Sequence, residues 1–330
     1  MRRRDFVVRL GTALVAAPFA AWAQSPDRVR RIGMLVGYAE SDPDSQRRLA
    51  AFKEELAARG WKEPGNLSID VRWTAGDVAR AAPLARELVA LKPELIVANT
   101  TPVTAALQRE TRSIPIVFLS VADPVGSGFV QSLSRPGGNL TGLTNLEASL
   151  AEKWLQILKE IAPRVNRVAV MFNPKTAPYA EYYLQPIKAA AQGLGVETFA
   201  ATVGSEADIE RAIVALGRRP GSGLLIMNDS YLTVHRKPAI VLAARHKVPA
   251  MYYSALHVED GGLIGYGVDN VDHFRRAAPF VERILQGARP QDLPVEKPTK
   301  FELAVNKKTA AALGIRIPQS ILIRADKVVD

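Results

Sequence analysis

The run Ile114–Phe118 (IPIVF) leaves a predicted helix and enters an apolar strand. The run Val248–Tyr252 (VPAMY) does the same in the second half of the chain. Helix, proline and strand follow one another in the same order twice, which indicates one α/β unit in each half. A Gly/Pro-rich turn, Arg135–Asn139 (RPGGN), lies between the two runs, and we expect the halves to join there. The repeat therefore predicts two lobes connected by short crossings.

Apolar, β-rich runs alternate with segments of helical periodicity along the whole chain. The predicted strands are Ile32–Val36, Leu67–Trp73, Leu95–Ala98, Ile116–Val121, Val168–Phe172, Val196–Ala200, Leu224–Met227, Ala250–Tyr253 and Leu263–Tyr266. The predicted helices lie near Ser45–Arg59, Ala79–Leu91, Val103–Arg112, Leu150–Ile161, Tyr182–Gly193, Glu206–Leu216, Pro238–His246 and His273–Gln286. Such alternation is typical of parallel sheets with right-handed crossovers and helices on both faces. The sequence thus predicts the α/β class, with two doubly wound parallel-sheet lobes.

The N-terminus has the pattern of an export signal. A basic start that contains Arg2, Arg3, Arg4 and Arg9 is followed by an apolar run, Leu10–Ala21, and by the small-x-small spacing of Ala21-Trp22-Ala23. The apolar run is too short to span a bilayer as a stable helix, although a short membrane anchor is the alternative. We expect residues 1–23 to be a signal peptide cleaved near Ala23, and the mature protein to be periplasmic. The pattern fits both the general and the twin-arginine export route.

Composition restricts the function further. A length of 330 residues favours about two domains. The 48% hydrophobic and 23% charged residues are typical of a well-buried globular protein. The net charge is +10, but the expected signal carries +3 of it, and the other basic residues are scattered without interleaved aromatics. We therefore expect no nucleic-acid partner. The absence of cysteine excludes disulfides, a thiol nucleophile and a lipid anchor.

Small or polar residues follow most of the predicted strands. Ser, Thr, Asp and Asn also cap helices, so capping explains any one of them taken alone. Ligands of open parallel sheets, however, bind beyond the carboxyl ends of the strands, where free helix N–H groups favour a carboxylate. We therefore expect a cleft for a small polar or amphipathic ligand. The candidate ligand-binding residues are Tyr38, Asn99, Thr100, Thr101, Ser120, Asp123, Asn173, Asp229, Tyr252 and Tyr266.

The sequence contains no recognisable catalytic constellation. The four histidines do not have the spacing of metal ligands, no serine lies in a nucleophile elbow, and there is no glycine-rich phosphate loop. We therefore expect no catalytic residue, no metal and no cofactor. One alternative stays open, a secreted α/β enzyme that uses the strand-end carboxylates Asp123 or Asp229 as acid and base.

Five motifs carry a resemblance that extends over essentially the whole mature chain. They are Asn99–Pro102 (NTTP), Ile114–Phe118 with Asp123–Val125 (DPV), Arg135–Gly142 (RPGGNLTG), Asn228-Asp229 and Phe301–Ala310 (FELAVNKKTA). With these motifs the chain resembles the periplasmic substrate-binding proteins of ABC importers. It is most similar to the family that includes the tryptophan/tyrosine-binding members, which have the type I periplasmic-binding fold.

The resemblance implies three crossings between two hinged lobes. Lobe one would comprise residues 28–142 and 267–291, and lobe two residues 143–266 and 292–330. It also implies a function, the capture of a small solute in the cleft, closure of the lobes, and delivery by a monomeric protein to an ABC permease in the membrane. A secreted ligand sensor of the same fold is the alternative.

The resemblance further implies roles for an amino-acid-like ligand. Thr100 and Thr101 would hold the carboxylate, and Asp229 would pair with the amino group. Tyr38, Tyr252 and Tyr266 would line the side-chain pocket. The chain departs from the aromatic-amino-acid members in the longer, more acidic loop that begins at Tyr38 and in the Ser230-Tyr231 pair. An aromatic acid without an amino group would need no partner at Asp229.

Overall fold

The computed structural model describes residues 29–145 and 149–330, so the expected signal peptide lies outside the described residues. The strands are β1 (Arg30–Val36), β2 (Leu67–Trp73), β3 (Leu95–Asn99), β4 (Ile116–Val121), β5 (Leu140–Thr144), β6 (Arg167–Phe172), β7 (Glu197–Thr202), β8 (Ser222–Ile226), β9 (Ala250–Tyr252), β10 (Ile264–Val268), β11 (Phe301–Asn306) and β12 (Lys327–Val329). The helices are α1 (Pro43–Ala58), α2 (Ala81–Ala90), α3 (Thr101–Glu110), α4 (Ser149–Ile161), α5 (Ala180–Leu194), α6 (Glu206–Gly217), α7 (Ser230–Val234), α8 (Arg236–Arg245), α9 (Ala255–Glu259), α10 (Asn270–Arg275), α11 (Ala278–Leu285), α12 (Lys307–Ala312) and α13 (Gln319–Arg324). Short 3₁₀ helices span Val78–Arg80 and Pro290–Asp292.

The first lobe is built on a five-stranded sheet in the order β2-β1-β3-β4-β5, with every pair parallel. Apolar side chains on both faces of this sheet are buried, as parallel strands require. Phe52 of α1 packs on one face with Phe274 and Phe280 of α10 and α11. Leu88 of α2 and Leu107 of α3 pack on the other face. Helices α10 and α11 thus return to the first lobe from late in the chain.

The second lobe is built on a seven-stranded sheet in the order β12-β11-β10-β9-β8-β6-β7. Strands β6 to β10 are parallel, whereas β11 runs antiparallel to β10 and pairs in parallel with β12. Trp154 and Tyr183 lie in the core on one face. Ile213 and Ile240 lie in the core on the other face. The prediction of two doubly wound α/β lobes is confirmed.

The two sheets repeat one strand order. Counted from the first strand of each unit, β2-β1-β3-β4-β5 corresponds to β7-β6-β8-β9-β10. In this order, strands on either side of the first strand are reached by crossovers in opposite directions, which leaves a crevice at their carboxyl ends. The crevices lie between β1 and β3 in the first lobe and between β6 and β8 in the second. Val36 pairs with Asn99 at the end of the first crevice.

The structure departs from the predicted elements in a few places, each with a physical reason. Strand β5 (LTGLT) was not predicted because it contains only two large apolar residues. Strand β12 is three residues long, too short for a periodic signal. The predicted helix His273–Gln286 is two helices, because Pro279 lies at the start of α11, where a proline is tolerated, and would interrupt a continuous helix.

Candidate ligand-binding site

The crevice of the first lobe is closed tightly at its base. Gly37 follows β1, and a Cβ atom at this position would lie 2.6 Å from Oγ1 of Thr100. Only glycine therefore lets the loop after β1 pack against the start of α3. Tyr38 comes next and is buried. The tight packing places Tyr38 and Thr100 on the same edge of the sheet, as the sequence predicted from the strand ends.

Three polar side chains at this edge are buried without partners among the described residues. Asn99 is 0% exposed, and neither its amide nitrogen nor its amide oxygen has a hydrogen-bond partner. The hydroxyl groups of Thr100 and Ser120 have none either. A buried polar group left unpaired costs about 1–3 kcal/mol, so native proteins keep few of them. We call Asn99, Thr100 and Ser120 the first edge.

The backbone at the first edge is also strained. Thr100 has a φ of 86° and Ser120 a φ of 56°, in the left-handed region that residues with a side chain rarely adopt. Strain of this kind is concentrated at functional sites, where the surrounding structure holds it. These unpaired hydroxyls lie on strained backbone at the ends of two neighbouring strands, which indicates a surface shaped for something other than folding stability.

Two predicted site residues beside the first edge are engaged locally. Oγ1 of Thr101 accepts a hydrogen bond from the N–H of Ala122 at 3.3 Å. The carboxylate of Asp123, which is half-buried, accepts from the N–H of Gly126 at 2.8 Å and so closes the turn after β4. Both side chains therefore form hydrogen bonds with backbone N–H groups of the first lobe.

The corresponding edge of the second lobe is saturated with hydrogen bonds. Asp229 is 0% exposed and caps α7 by accepting from the N–H groups of Tyr231 and Leu232 at 2.7 and 3.3 Å. It also accepts from the N–H of Asn173 at 2.5 Å and from Oγ1 of Thr176 at 2.6 Å, which joins the ends of β8 and β6. Three of these donors share Oδ1, and the N–H of Asn173 binds Oδ2. We call Asn173, Thr176 and Asp229 the second edge.

Burial and hydrogen bonding act in opposite directions on Asp229. Burial raises the pKa of its carboxyl, while the bonds from Thr176 and from the three backbone N–H groups lower it, and the net pKa is raised. Oδ1 of Asn173 accepts from the N–H of Lys175, so this side chain is engaged as well. The second edge therefore presents an internally satisfied surface.

The remaining two predicted residues, Tyr252 and Tyr266, lie apart from both edges. Tyr252 lies in the core of the second lobe and stacks on His257 with ring centroids 5.2 Å apart. Tyr266 stacks on Phe301 at 6.1 Å. The next tyrosine, Tyr253, reaches the second edge instead, with its hydroxyl 2.5 Å from Oγ1 of Thr233. Successive side chains of a strand point to opposite faces, which separates the two neighbours.

The two lobes are joined by an ion-pair cluster beside the crevices. The guanidinium of Arg236 in the second lobe donates to both oxygens of Asp42 in the first lobe, at 2.7 and 2.9 Å, and to Asp260 at 2.6 Å. Burial raises the pKa of Asp42, but the hydrogen bonds and the charge of Arg236 lower it more, so the net pKa lies below its usual value. This bidentate, largely buried pair fixes the lobes against each other.

A cavity of about 10 Å³ lies between the lobes, room for about one water molecule. Its lining includes the aromatic residues Trp154, Tyr183 and Tyr253 and the amides Asn145, Asn228 and Asn270. The rings of Trp154 and Tyr183 are 5.5 Å apart. An amino-acid-sized solute fits this cavity only if its walls move apart.

Within residues 29–145 and 149–330, no group of three or more His, Asp or Glu side chains is arranged to hold a metal ion. In the same ranges of the chain, no helix is both long and apolar enough to cross a membrane.

Comparison with known proteins identifies the family. Residues 40–329 match the family model described as ABC transporter substrate binding protein. This chain belongs to that family. A curated relative, the tyrosine-binding protein of Clostridioides difficile (strain R20291), is 25% identical over 275 residues, covering 83% of this chain and 78% of the relative.

Two solved structures show the same architecture. A conserved domain protein from Vibrio cholerae O1 biovar El Tor is 30% identical with a TM-score of 0.85, and the match covers 91% of this chain and all of the other. The ABC domain from Streptococcus pneumoniae in complex with L-Trp is 25% identical with a TM-score of 0.84, covering 91% and 99%. The matches agree with the type I periplasmic-binding fold inferred from the sequence motifs.

The sequence analysis did not predict three buried residues of this substrate-binding protein, because they lie within helices and not directly at the ends of strands. Arg48 lies on α1 and is 2% exposed, and His257 and His273 are buried as well. Nε2 of His273 accepts from the N–H of Ser120 at 3.4 Å. One signal for Arg48 was present in the sequence. It occupies the apolar stripe of α1 with Ser45, Leu49, Phe52 and Leu56, where a charge is unexpected.

Proposed function

We propose that this chain is the periplasmic solute-binding component of an ABC importer and captures a small carboxylate-bearing solute between its lobes. The first edge is the observation that carries the proposal. Asn99, Thr100 and Ser120 hold buried polar atoms without partners at the switch point of an open α/β sheet, where ligands of such sheets bind. A ligand that hydrogen-bonds with these atoms removes the free-energy penalty of burying them without partners.

The solute is of the amino-acid type, aromatic or branched. Two relatives support this choice, since one is described as a tyrosine-binding protein and the other was solved with L-Trp. The aromatic lining formed by Trp154, Tyr183 and Tyr253 supports it independently, because large rings pack well against apolar side chains and other rings.

The predicted site residues take unequal parts in this proposal. Asn99, Thr100 and Ser120 contact the polar end of the solute, and Tyr38 packs beside it. Four other residues stabilise the loops around the cleft, because their side chains already form hydrogen bonds within the protein. They are Thr101, Asp123, Asn173 and Asp229. Tyr253 replaces Tyr252 as the ring at the cleft, and Tyr266 lies outside it.

Capture proceeds by closure of the two lobes. The lobe boundaries are those expected from the resemblance, supported by the packing of α10 and α11 on the first sheet. Solute bound between the edges favours the closed arrangement, which the Arg236–Asp42 pair also stabilises. The monomeric, exported protein then delivers the solute unchanged to its permease. The N-terminal pattern of basic, apolar and small residues supports export.

Thermal unfolding of residues 24–330 with a panel of solutes tests the proposal. The panel holds aromatic and branched amino acids, aromatic carboxylic acids, sugars and nucleosides. A solute at about 100 times its Kd adds about 2.7 kcal/mol of stability, which raises the Tm by about 5 °C. We expect such a shift with carboxylate-bearing solutes, and chromatography should recover the solute unchanged.

Two results would count against the proposal. A shift confined to sugars or nucleosides would contradict the carboxylate class. Chemical conversion of a shifting solute would replace a binding protein with an enzyme. The matched variant Ser120→Ala removes one unpaired hydroxyl and should reduce the shift without lowering the Tm of the free protein.

A further inference from the structure

Arg48 is a buried charge in the region where the lobes meet. Its side chain forms an ion pair with Asp44 one turn earlier on α1, and its guanidinium lies over the ring of Tyr38, 5.0 Å from the centroid. An arginine that is 2% exposed is rare unless its nitrogens are paired, because an unpaired buried charge is strongly unfavourable.

The pairing of Arg48 is incomplete. Nε and Nη1 have no acceptor among the described residues, so only Nη2 is used, by Asp44. Asp44 also pairs with Arg47, at 2.6 Å through its other oxygen, so one carboxylate serves two guanidinium groups. The buried groups that face Arg48 from the neighbouring elements are Tyr38, Tyr253, His257 and His273. None of these four supplies a negative charge at neutral pH, so the nearby negative charges are those of Asp44 and of Asp42, which is itself bound by Arg236.

The carboxylates around the cleft are each paired with groups of the protein. Asp229 accepts four hydrogen bonds from the protein. Asp42 is bound by Arg236, and Asp269 accepts from Lys300 at 2.6 Å and from two backbone N–H groups. Each of these three carboxylates is therefore already paired within the protein.

From the two unpaired nitrogens of Arg48 and the paired state of these carboxylates we propose that Arg48 binds the carboxylate of the solute and that the solute needs no amino group. The proposal rests on the proposed function and names its substrate class, an aromatic carboxylic acid. Either Nε or Nη1 donates to the carboxylate, and a charge-assisted bond of this type is among the strongest that a buried polar site forms. The rings of Trp154, Tyr183 and Tyr253 contact the aromatic part.

Calorimetric titration of the wild-type mature chain with three matched probes tests the substrate class. The probes are L-tyrosine, 3-(4-hydroxyphenyl)propionate, which lacks the amino group, and tyramine, which lacks the carboxylate. We expect the Kd of the propionate to be no more than about threefold that of L-tyrosine. Tyramine should bind at least about 30-fold more weakly, since it leaves the buried guanidinium unpaired. Tight binding of tyramine, or a tenfold weaker affinity for the propionate, would overturn the proposal.

The variant Arg48→Met tests the residue. It should weaken binding of the propionate by at least about 30-fold and remove the preference for the propionate over its neutral amide. The control Arg59→Met removes an exposed, ion-paired arginine from the end of the same helix and should change neither quantity. Because Arg48→Met removes one of the two guanidinium partners of the buried Asp44, the double variant Asp44→Asn/Arg48→Met keeps the test valid if the single variant unfolds.

The outcomes separate this inference from the proposed function. If the wild type binds L-tyrosine or the propionate and Arg48→Met binds it equally well, the inference fails and the solute-binding function stands. If the wild type binds none of the three probes and no solute of the wider panel, the proposed function fails, and the role of Arg48 fails with it.

Discussion

The first and second edges occupy the same position in two sheets of the same strand order, yet their polar groups differ completely. At the first edge, Asn99, Thr100 and Ser120 are buried with side-chain atoms that have no partner in the described parts of the chain. At the second edge, Asp229 accepts from four donors, two in the loop after β6 and two at the start of α7. The two lobes therefore share a strand order but differ in the hydrogen bonding of their polar edges.

The difference assigns different tasks to the two lobes. Unpaired buried groups reduce stability and are retained where another molecule pairs with them. A fully satisfied network is rigid, because each bond in a low-dielectric interior is costly to break. Under the proposed function, the first lobe contacts the polar end of the solute, and the second lobe closes over it as a preformed wall.

The largest expected effect comes from removing the centre of the second edge. Asp229→Ala leaves four donors unpaired, three of them backbone N–H groups, and should lower the free energy of unfolding by about 4 kcal/mol. Urea denaturation measures this change. The control Ser205→Ala removes a solvent-exposed cap of α6 and should cost about 1 kcal/mol. Equal losses in the two variants would show that the second edge is no more than a helix cap.

The pH dependence of stability probes both edges. Burial, together with the charge of nearby arginines, lowers the pKa of His257 to about 3 and of His273 to about 4. Below the usual pKa of about 6.5 the unfolded chain binds protons that the folded chain does not, so stability is lost as pH falls. Each imidazole should contribute about 1.4 kcal/mol per pH unit between about pH 6 and pH 4, and nothing above pH 7.

Urea denaturation at pH 7.5 and at pH 5 measures this slope. We expect His273→Gln, beside the first edge, and His257→Gln, beside Tyr253, each to reduce the slope by about half of the histidine contribution. A slope that neither variant changes would mean that both imidazoles are protonated in the folded protein, against the neutral interior described above.

The smallest effect on stability comes from the first edge and has the opposite sign. Asn99→Leu replaces an unpaired amide by an apolar group of similar size and should raise the free energy of unfolding by about 1 kcal/mol while abolishing solute binding. The control Asn306→Leu removes an equally buried amide that caps α12 and should lower stability by about 2 kcal/mol. Both are measured by urea denaturation and by titration with the panel solutes.

Destabilisation by Asn99→Leu would contradict the comparison, because it would show that the amide has partners that stabilise the fold. If Asn99→Leu is stabilised and still binds the solute, the result contradicts only the proposed role of the first edge in binding.

Much of the fold follows from periodicity in the sequence. Each of the nine predicted strands is present, since buried parallel strands form near-continuous apolar runs. Strand β11 was not predicted because FELAVN contains a charged residue on its half-buried side and pairs antiparallel at the outer part of the sheet. Short α7 and α9 were not predicted because five residues give no helical period.

The sequence predicts where the site lies, but it does not predict which of its polar side chains have hydrogen-bond partners. Strand ends and helix caps coincide in an α/β fold, so Asn99, Thr100 and Asp229 are predicted by position. Whether such a side chain is paired depends on a neighbour distant in sequence, as for Asp229 and Asn173, 56 residues apart. The same holds for Arg48, whose unpaired nitrogens become apparent only when both lobes surround it.

A crystal structure of the mature chain, grown with the panel solute that raises the Tm most, tests the central claim most directly. The account predicts a carboxylate between the lobes, within hydrogen-bond distance of Arg48 and of at least one polar atom of Asn99, Thr100 or Ser120. Asp229 would keep its four protein donors. A solute bound through Asp229, with the first edge still unpaired, would contradict the account.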